Sequence, residues 1–151
     1  AAYPGNGTDA AIDVGINGSP DFQPTNVHSV AAGDAIRLTF HSPNGTLTAN
    51  PFLALAQIYT TGFPATPLQL PGDAMATVML DLSSPISALV NGLANPGTFL
   101  NPILDDYSIV GNIPLGTSGL NISAMIVLLV TDPGLNPVNL GNAPAHELAI
   151  L

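Results

Sequence analysis

The chain has 151 residues, of which 7% are charged, and its formal net charge is −9 with Arg37 as the single lysine or arginine. So acidic a chain lacks the basic surface that binds nucleic acid or an anionic membrane, which argues against both as partners. It contains no cysteine, which excludes disulfides, zinc–thiolate sites and thiol nucleophiles.

The length suits one domain that buries its own core. The chain begins "AAYPG", which fits a mature product cut after small residues, so we expect a secreted protein, extracellular or on the cell surface. We divide the chain into an N-terminal arm over residues 1–8 and a single β-sandwich domain over residues 9–151.

The first predicted strand lies in "TDAAIDVGI", residues 8–16. Its apolar side chains alternate with polar or small ones, which is typical of a strand with one buried face. A strand needs a partner on at least one edge. This one either pairs within its own sheet or adds to the sheet of another molecule.

Four further segments predict strands in the first two thirds of the chain. "AIRLTFH" at 35–41 alternates and predicts a half-exposed strand, whereas "FLALAQIYTT" at 52–61 is apolar enough for the core. "AMATVMLDL" at 74–82 also alternates. "ISALVNG" at 86–92 predicts a strand or, because Ser84-Pro85 resembles a helix start, one helical turn.

Three strands are predicted in the last third, at 107–113, 122–130 and 146–151. The segment 122–130, "ISAMIVLLV", is the longest apolar run. Nine residues are too few for a helix to cross about 30 Å of hydrocarbon, so we expect a buried central strand and no membrane span.

Turn sequences such as "PGNG", "SPNG" and "TDPG" separate these strands, and the chain has 15 glycines and 15 prolines. No segment has a convincing helical period. The pattern predicts an all-β fold, an antiparallel β-sandwich of about 7–8 strands with immunoglobulin-like or jelly-roll connectivity.

The carboxyl part of the chain, residues 112–151, resembles a known group of domains through its turns and strands. The matching positions are Pro114, Gly116, Gly119-Leu120, Asp132-Pro133-Gly134 and Asn142-Ala143. The group consists of small secreted bacterial β-sandwich domains common in planctomycete-type proteomes, and the amino end is also similar to it. The resemblance implies a secreted β-sandwich. The group has no defined activity, so no function is implied.

No catalytic constellation is visible, and we expect a protein that is not an enzyme. His28, His41 and His146 stand apart in the sequence, and the side chains of His146 and Glu147 should point to opposite faces of a strand. "GTSG" at 116–119 lacks the spacing of a nucleophile elbow and is typical of a tight turn.

Calcium is the ligand that the aspartates would favour, since they lie at strand ends and turns and supply oxygen ligands. The candidates are Asp9, Asp13, Asp21, Asp34, Asp73, Asp105, Asp106 and Asp132. However, no acidic loop has calcium-binding spacing. We therefore prefer the alternative that these residues cap turns and keep the protein dissolved, and we expect no cofactor.

Four sequons for N-glycosylation occur, at Asn6, Asn17, Asn44 and Asn121. The first three read Asn-Gly, which forms tight turns without any glycan. Turn formation is therefore the simpler interpretation of these three, and glycan attachment is the alternative.

A surface so poor in charge predicts burial against copies of the same molecule. Our hypothesis is a non-enzymatic structural protein, a subunit of a noncovalent homopolymeric fibre or surface array. The arm and first strand would add to the next subunit. The candidate assembly residues are Tyr3, Pro4, Ala10, Ile12, Val14 and Ile16.

The alternative function is a secreted adhesin or carbohydrate-binding β-sandwich module. A glycan partner would favour exposed aromatic rings as stacking platforms. The chain offers no tryptophan, three tyrosines and five phenylalanines, and most of these rings are also needed for the core.

Overall fold

The computed structural model describes residues 5, 7–19, 26–59, 68–69, 77–78, 85–92, 102–117, 122–132 and 140–151. Within these ranges the chain is all-β, as predicted, and contains no helix. The strands are β1 (Ala11–Ile16), β2 (Val27–Val30), β3 (Ala35–His41), β4 (Phe52–Tyr59), β5 (Leu68–Gln69), β6 (Thr77–Val78), β7 (Ile86–Asn91), β8 (Tyr107–Asn112), β9 (Ile122–Thr131), β10 (Leu140–Asn142) and β11 (His146–Ile150).

Most of these strands form two sheets that are consistent with a β-sandwich. The three-stranded sheet has the order β1-β3-β8. The six-stranded sheet has the order β2-β11-β9-β4-β7, with β10 also pairing with β9, and β5 and β6 pair separately. β1 therefore pairs with β3 of its own chain, from Ala11 opposite His41 to Ile16 opposite Ile36.

The sandwich is not purely antiparallel, contrary to the prediction. β2 runs parallel to β11, with His28 opposite Leu148. β2, β5 and β10 have two to four residues each, too few for an alternating pattern to be recognised. The segment 86–92 is a strand and not a helical turn, while 74–82 is described only at β6.

β9 occupies the centre of the six-stranded sheet, as its apolar sequence predicted. β4 pairs along one edge, from Phe52 opposite Val130 to Tyr59 opposite Ser123. β11 and then β10 share the other edge. Every side chain from Met125 to Val130 is buried, so both faces of this strand are covered.

The hydrophobic core lies between the two sheets and uses the alternating faces of β1 and β3. The ring of Phe52 on β4 joins the sheets, since its centroid lies 5.1 Å from that of Phe40 and 5.7 Å from that of Tyr107. Fully burying an apolar side chain of this size stabilises a fold by about 1.5–3 kcal/mol.

The contacts across the core show which strands face each other. The ring of His146 on β11 makes a hydrogen bond with the backbone of Ile12 on β1, and Tyr107 of β8 packs against Phe52 of β4. The sandwich therefore has one side formed by β1, β2 and β11, which we call the β1/β2 side. The opposite side is formed by β4, β7 and β8, and we call it the β7/β8 side.

Candidate assembly surface

Asp9, the first calcium candidate, is enclosed by hydrogen-bond donors from the loop after β3. Its carboxylate accepts the hydroxyls of Ser42 and Thr46, each at 2.6 Å. It also accepts hydrogen bonds from the backbone N–H and the side-chain amide of Asn44, each at 2.9 Å, and from the backbone N–H of Thr46 at 3.1 Å. Burial raises the pKa of Asp9, but these hydrogen bonds outweigh it and hold the pKa well below its usual value. Five donors aimed at one carboxylate make it a structural anchor for this loop.

Among the other calcium candidates, Asp34 also serves local structure. Asp34 accepts the backbone N–H of Ala31 at 2.7 Å and the amide of Asn17 at 2.8 Å, and these bonds lower its pKa. Asp105 and Asp106 are exposed in a bend before β8. Among the described residues, no three acidic or histidine side chains are grouped as a metal site would need. Asp21 and Asp73 lie outside them.

The three histidines are not isolated in the fold. His41 lies 3.0 Å from a carboxylate oxygen of Asp13, on the solvent face of the three-stranded sheet. His28 and His146 meet in the interior, where Nε2 of His28 lies 2.9 Å from Nδ1 of His146. Sequence reasoning missed this pair because 118 residues separate its members and their strands pair in parallel.

Two of the four sequons lie in described turns. Asn17 and Gly18 have φ of 53° and 77°, and the N–H of Ser19 donates to the carbonyl of Ile16 at 3.0 Å, as in a type I′ turn. Asn44 lies in a second turn, closed by a bond from Gly45 to Ser42. Both asparagines are exposed, and both donate their side-chain amide to an aspartate. The sequons at Asn6 and Asn121 lie outside the described residues.

The candidate assembly residues on β1 face inward, as does Ala10 just before it. Ala10, Ile12 and Val14 are buried in the core of their own chain, and Ile16 packs against it. The structure therefore leaves these side chains little surface for a neighbour. Tyr3 and Pro4 lie outside the described residues.

Part of the predicted arm is also tied to its own domain. A Cβ on Gly5 would lie 2.7 Å from the carbonyl oxygen of Asn142 and 2.9 Å from Pro144. A Cβ on Gly141 would lie 2.7 Å from the Cβ of Thr8. Gly5 and Thr8 therefore lie close against residues 141–144, the end of β10 and the start of its link to β11.

The two edges of the three-stranded sheet differ. Asn17 donates its N–H to Ala35 across the β1–β3 pair, so alternate residues Ile12, Val14 and Ile16 direct their backbone groups away from β3. Ile16 bonds through both groups to Ser19. Ile12 bonds to His146. The outer edge of β1 is therefore partly occupied by its own chain.

β8 forms the opposite edge of this sheet. Ile113 donates its N–H to Asp34, so by the same alternation Ser108, Val110 and Asn112 direct their N–H and C=O groups away from β3. β8 contains no charged residue, whereas natural edge strands commonly carry charge that discourages pairing. Within the described residues, no strand pairs with this edge.

An apolar cleft opens between β8 and the strands β4 and β7. Its volume is about 330 Å³, and its lining includes Ile58, Leu89, Ile109 and Val110. We call these four residues the seam. Ile58 is 66% exposed, Val110 72% and Leu89 40%, so the seam presents apolar side chains to solvent. Ile109 packs against the core, whereas Val110 borders the cleft from the solvent face of β8, where Arg37 lies opposite it. The apolar residue at this outward position of an alternating strand was the one signal for the seam in the sequence.

The described part of the predicted "GTSG" turn is a turn at Leu115 and Gly116, where Thr117 donates its hydroxyl to the carbonyl of Pro114 at 2.8 Å. Within the described ranges, no helix has the length and apolar character to span a membrane.

Comparisons of the chain with protein-family models, with curated proteins and with solved structures find no match. The resemblance to the group of secreted bacterial domains stays a prediction.

Proposed function

We propose that the chain is a non-enzymatic, secreted structural protein whose copies assemble noncovalently into a fibre or surface array at the cell exterior. The observation that carries the proposal is the β7/β8 side, whose three strands contain no charged residue and where the edge of β8 adjoins the apolar seam. The whole sequence is low in charge, with eleven charged residues in 151, and this side of the sandwich is a definite surface on which that low charge is found.

Charge favours a second copy as the occupant of this surface. Two molecules with net charge −9 repel each other, so they associate best where neither presents a carboxylate. β7 and β8 contain no charged residue, and the four seam residues are apolar. Contact between copies at the seam removes apolar surface from water without bringing like charges together.

Backbone pairing gives the contact a direction. A strand from the next copy adds to β8 through the N–H and C=O groups of Ser108, Val110 and Asn112, while its apolar side chains pack into the seam. If the added strand comes from a different surface of the next copy, the contact continues from subunit to subunit and produces a fibre, whereas β8 of one copy on β8 of another closes a dimer. The chain contains no lysine or cysteine, so neither lysine isopeptide bonds nor disulfides can join the copies, and we propose noncovalent contact.

We place the contact between copies on the β7/β8 side and not on the first strand. The apolar face of β1 fills its own core, and its outer edge is partly bonded to Ser19 and His146. Tyr3 and Pro4 remain candidate contacts, and deleting residues 1–4 tests them without removing Gly5, Thr8 or Asp9, which pack on the domain.

The test compares two exposed apolar positions, one in the seam opposite Arg37 and the other on a turn. Val110→Asp puts a carboxylate at the seam, and Leu115→Asp puts one on a turn away from it, where the side chain is 84% exposed. Sedimentation velocity and negative-stain electron microscopy measure assembly, and circular dichroism checks the fold. We expect wild-type protein and Leu115→Asp to assemble. We expect Val110→Asp to need at least about tenfold more protein, because 1.4 kcal/mol of contact energy corresponds to a factor of ten.

Wild-type protein that sediments as a 15.3 kDa particle at every accessible concentration would overturn the proposal of self-assembly. Equal assembly of Val110→Asp and Leu115→Asp would remove the seam as its surface. Loss of assembly only on deletion of residues 1–4 would return the contact to Tyr3 and Pro4.

A further inference from the structure

His28 and His146 form a buried pair that the proposed assembly does not use. They are 3% and 5% exposed. Their rings stack with centroids 5.2 Å apart and planes 13° apart, and Nε2 of His28 lies 2.9 Å from Nδ1 of His146. Because one histidine lies on β2 and the other on β11, their contact joins two strands that are distant in sequence.

The hydrogen bonds define where the protons are in the neutral pair. His146 bonds to the backbone of Ile12, and this bond favours its protonated ring, so the carbonyl of Ile12 is the acceptor. Since Nδ1 of His146 faces His28, the donor to Ile12 is Nε2. Nδ1 of His146 then accepts the Nε2–H of His28. One chain of hydrogen bonds thus runs from β2 through β11 to β1.

The described surroundings hold no carboxylate that faces the pair. β2 and β9 contain no acidic residue. On β11, Glu147 follows His146 and, by the alternation of a strand, faces the other side of the sheet. On β1, Asp13 lies on the solvent face with His41. A positive charge on either buried ring therefore meets no counter-ion among the described groups.

β2 depends on β11 for its place in the sheet. Among the described strands it pairs only with β11. Its ends are fixed by bonds from Glu147 to the carbonyl of Asn26 and from Leu151 to the carbonyl of Val30, each at 2.8 Å. The amide of Asn26 also donates to Ala145 at 2.9 Å.

We propose that the His28–His146 pair is an acid-sensitive latch, which holds β2 and β1 to β11 near neutral pH and releases β2 when it takes up protons. The first proton binds at Nδ1 of His28, the ring nitrogen not used in the pair, and creates a buried imidazolium. A second proton binds at Nδ1 of His146 and places two N–H groups against each other at the 2.9 Å contact.

The direction of both pKa shifts agrees with this mechanism. Burial lowers the pKa of His28 below its usual 6.5. Burial and the neighbouring His28 lower the pKa of His146 to about 4, although the bond to Ile12 raises it. A histidine whose pKa is depressed in the closed state binds a proton more readily once its strand is released. The closed latch therefore loses stability as pH falls from 6.5 towards 4.

Hydrogen exchange read by mass spectrometry tests the latch in the wild-type protein. Exchange is compared at pH 7.5 and pH 5.0 and is corrected for the intrinsic effect of pH on exchange. Both values lie above the isoelectric point of about 4.1, so the chain keeps a net negative charge. We expect amides of β2 and β11 to gain at least about tenfold in exchange rate relative to β4. Equal changes in all three strands would overturn the proposal.

The double variant His28→Gln with His146→Gln removes the titration and keeps groups that form neutral hydrogen bonds. We expect it to lose the selective acid response of β2 and β11. His41→Gln is the matched control, since His41 lies on the solvent face, and it should respond as wild type does. A double variant that keeps the full acid response would refute the latch.

Nuclear magnetic resonance of the histidine rings gives a readout that needs no variant, should the double variant not fold. The imidazoles of His28 and His146 should titrate below pH 6.5, and their protonation should coincide with the rise in β2 exchange. If both buried rings titrate while β2 exchange stays constant, the pair is a structural contact and the latch is refuted.

Discussion

Thr46 binds one carboxylate oxygen of Asp9 twice, through its hydroxyl at 2.6 Å and its backbone N–H at 3.1 Å. Together with Ser42 and Asn44, it connects the residue before β1 to the loop after β3. This arrangement fixes the start of β1 next to the end of β3, where Ala11 lies opposite His41.

Replacing Asp9 by alanine should destabilise the fold, because five donors lose their acceptor. Hydrogen bonds to a charged group contribute about 1.5–3 kcal/mol, and partial exposure limits the total to about 2–3 kcal/mol. Urea unfolding measures the change. Asp105→Asn removes the same charge at an exposed position, and we expect it to alter the free energy of unfolding by less than about 0.5 kcal/mol. Equal effects of the two variants would refute the anchoring role.

The Asp9 anchor should weaken in acid. Its pKa is lowered in the folded state, so its contribution is present above the usual value of 3.8 and is lost as pH falls further. The difference in unfolding free energy between wild type and Asp9→Asn should therefore be largest above about pH 4 and shrink below it. A difference that stays constant from neutral pH to strong acid would contradict this prediction.

Replacing Asn17 by alanine should destabilise the fold more than replacing it by glycine. Its φ of 53° lies in the left-handed region, where most side chains cost about 1–2 kcal/mol. Its side chain also accepts the N–H of Ala35 at 2.9 Å. Thermal unfolding of Asn17→Ala and Asn17→Gly separates these effects, since glycine loses only the side-chain bonds. If alanine is tolerated as well as glycine, backbone conformation does not matter here.

Gly141 should not accept even a methyl group. An added Cβ would overlap the side chain of Thr8, whose own Cβ would lie 2.7 Å away. We expect Gly141→Ala to cost about 1–3 kcal/mol as overpacking does. Gly111→Ala is the control, because no atom outside its immediate chain neighbours lies within 4 Å of an added Cβ. Chemical denaturation of both variants is the measurement, and equal stability would show that residue 8 moves away freely.

Phe52 should contribute more to stability than other single side chains of the core, since it contacts Phe40 and Tyr107 of the opposite sheet. Phe52→Ala should cost about 3–5 kcal/mol, as is usual for a buried aromatic residue. Val110→Ala, at a mostly exposed position, should change the unfolding free energy little. A small effect of Phe52→Ala on the urea midpoint would mean that the two sheets do not depend on this contact.

The sequence alone determined the class of fold and the faces of its main strands. The alternation in β1 and β3 predicted which side chains are buried, and the apolar run of β9 predicted a covered central strand. The Asn-Gly pairs at Asn17 and Asn44 predicted two turns that the structure contains. These features are local, because a strand repeats every two residues and a turn spans four.

Tertiary structure decided which strands are neighbours, and with them the contacts on which the two proposals depend. The parallel β2–β11 pair brings His28 to His146, the loop after β3 encloses Asp9, and β8 becomes an edge beside an apolar seam. Each of these depends on contacts between residues far apart in the chain. An alternating pattern is satisfied by any partner that buries the same face, so the order of strands follows from packing of the whole core and not from the period of a single strand.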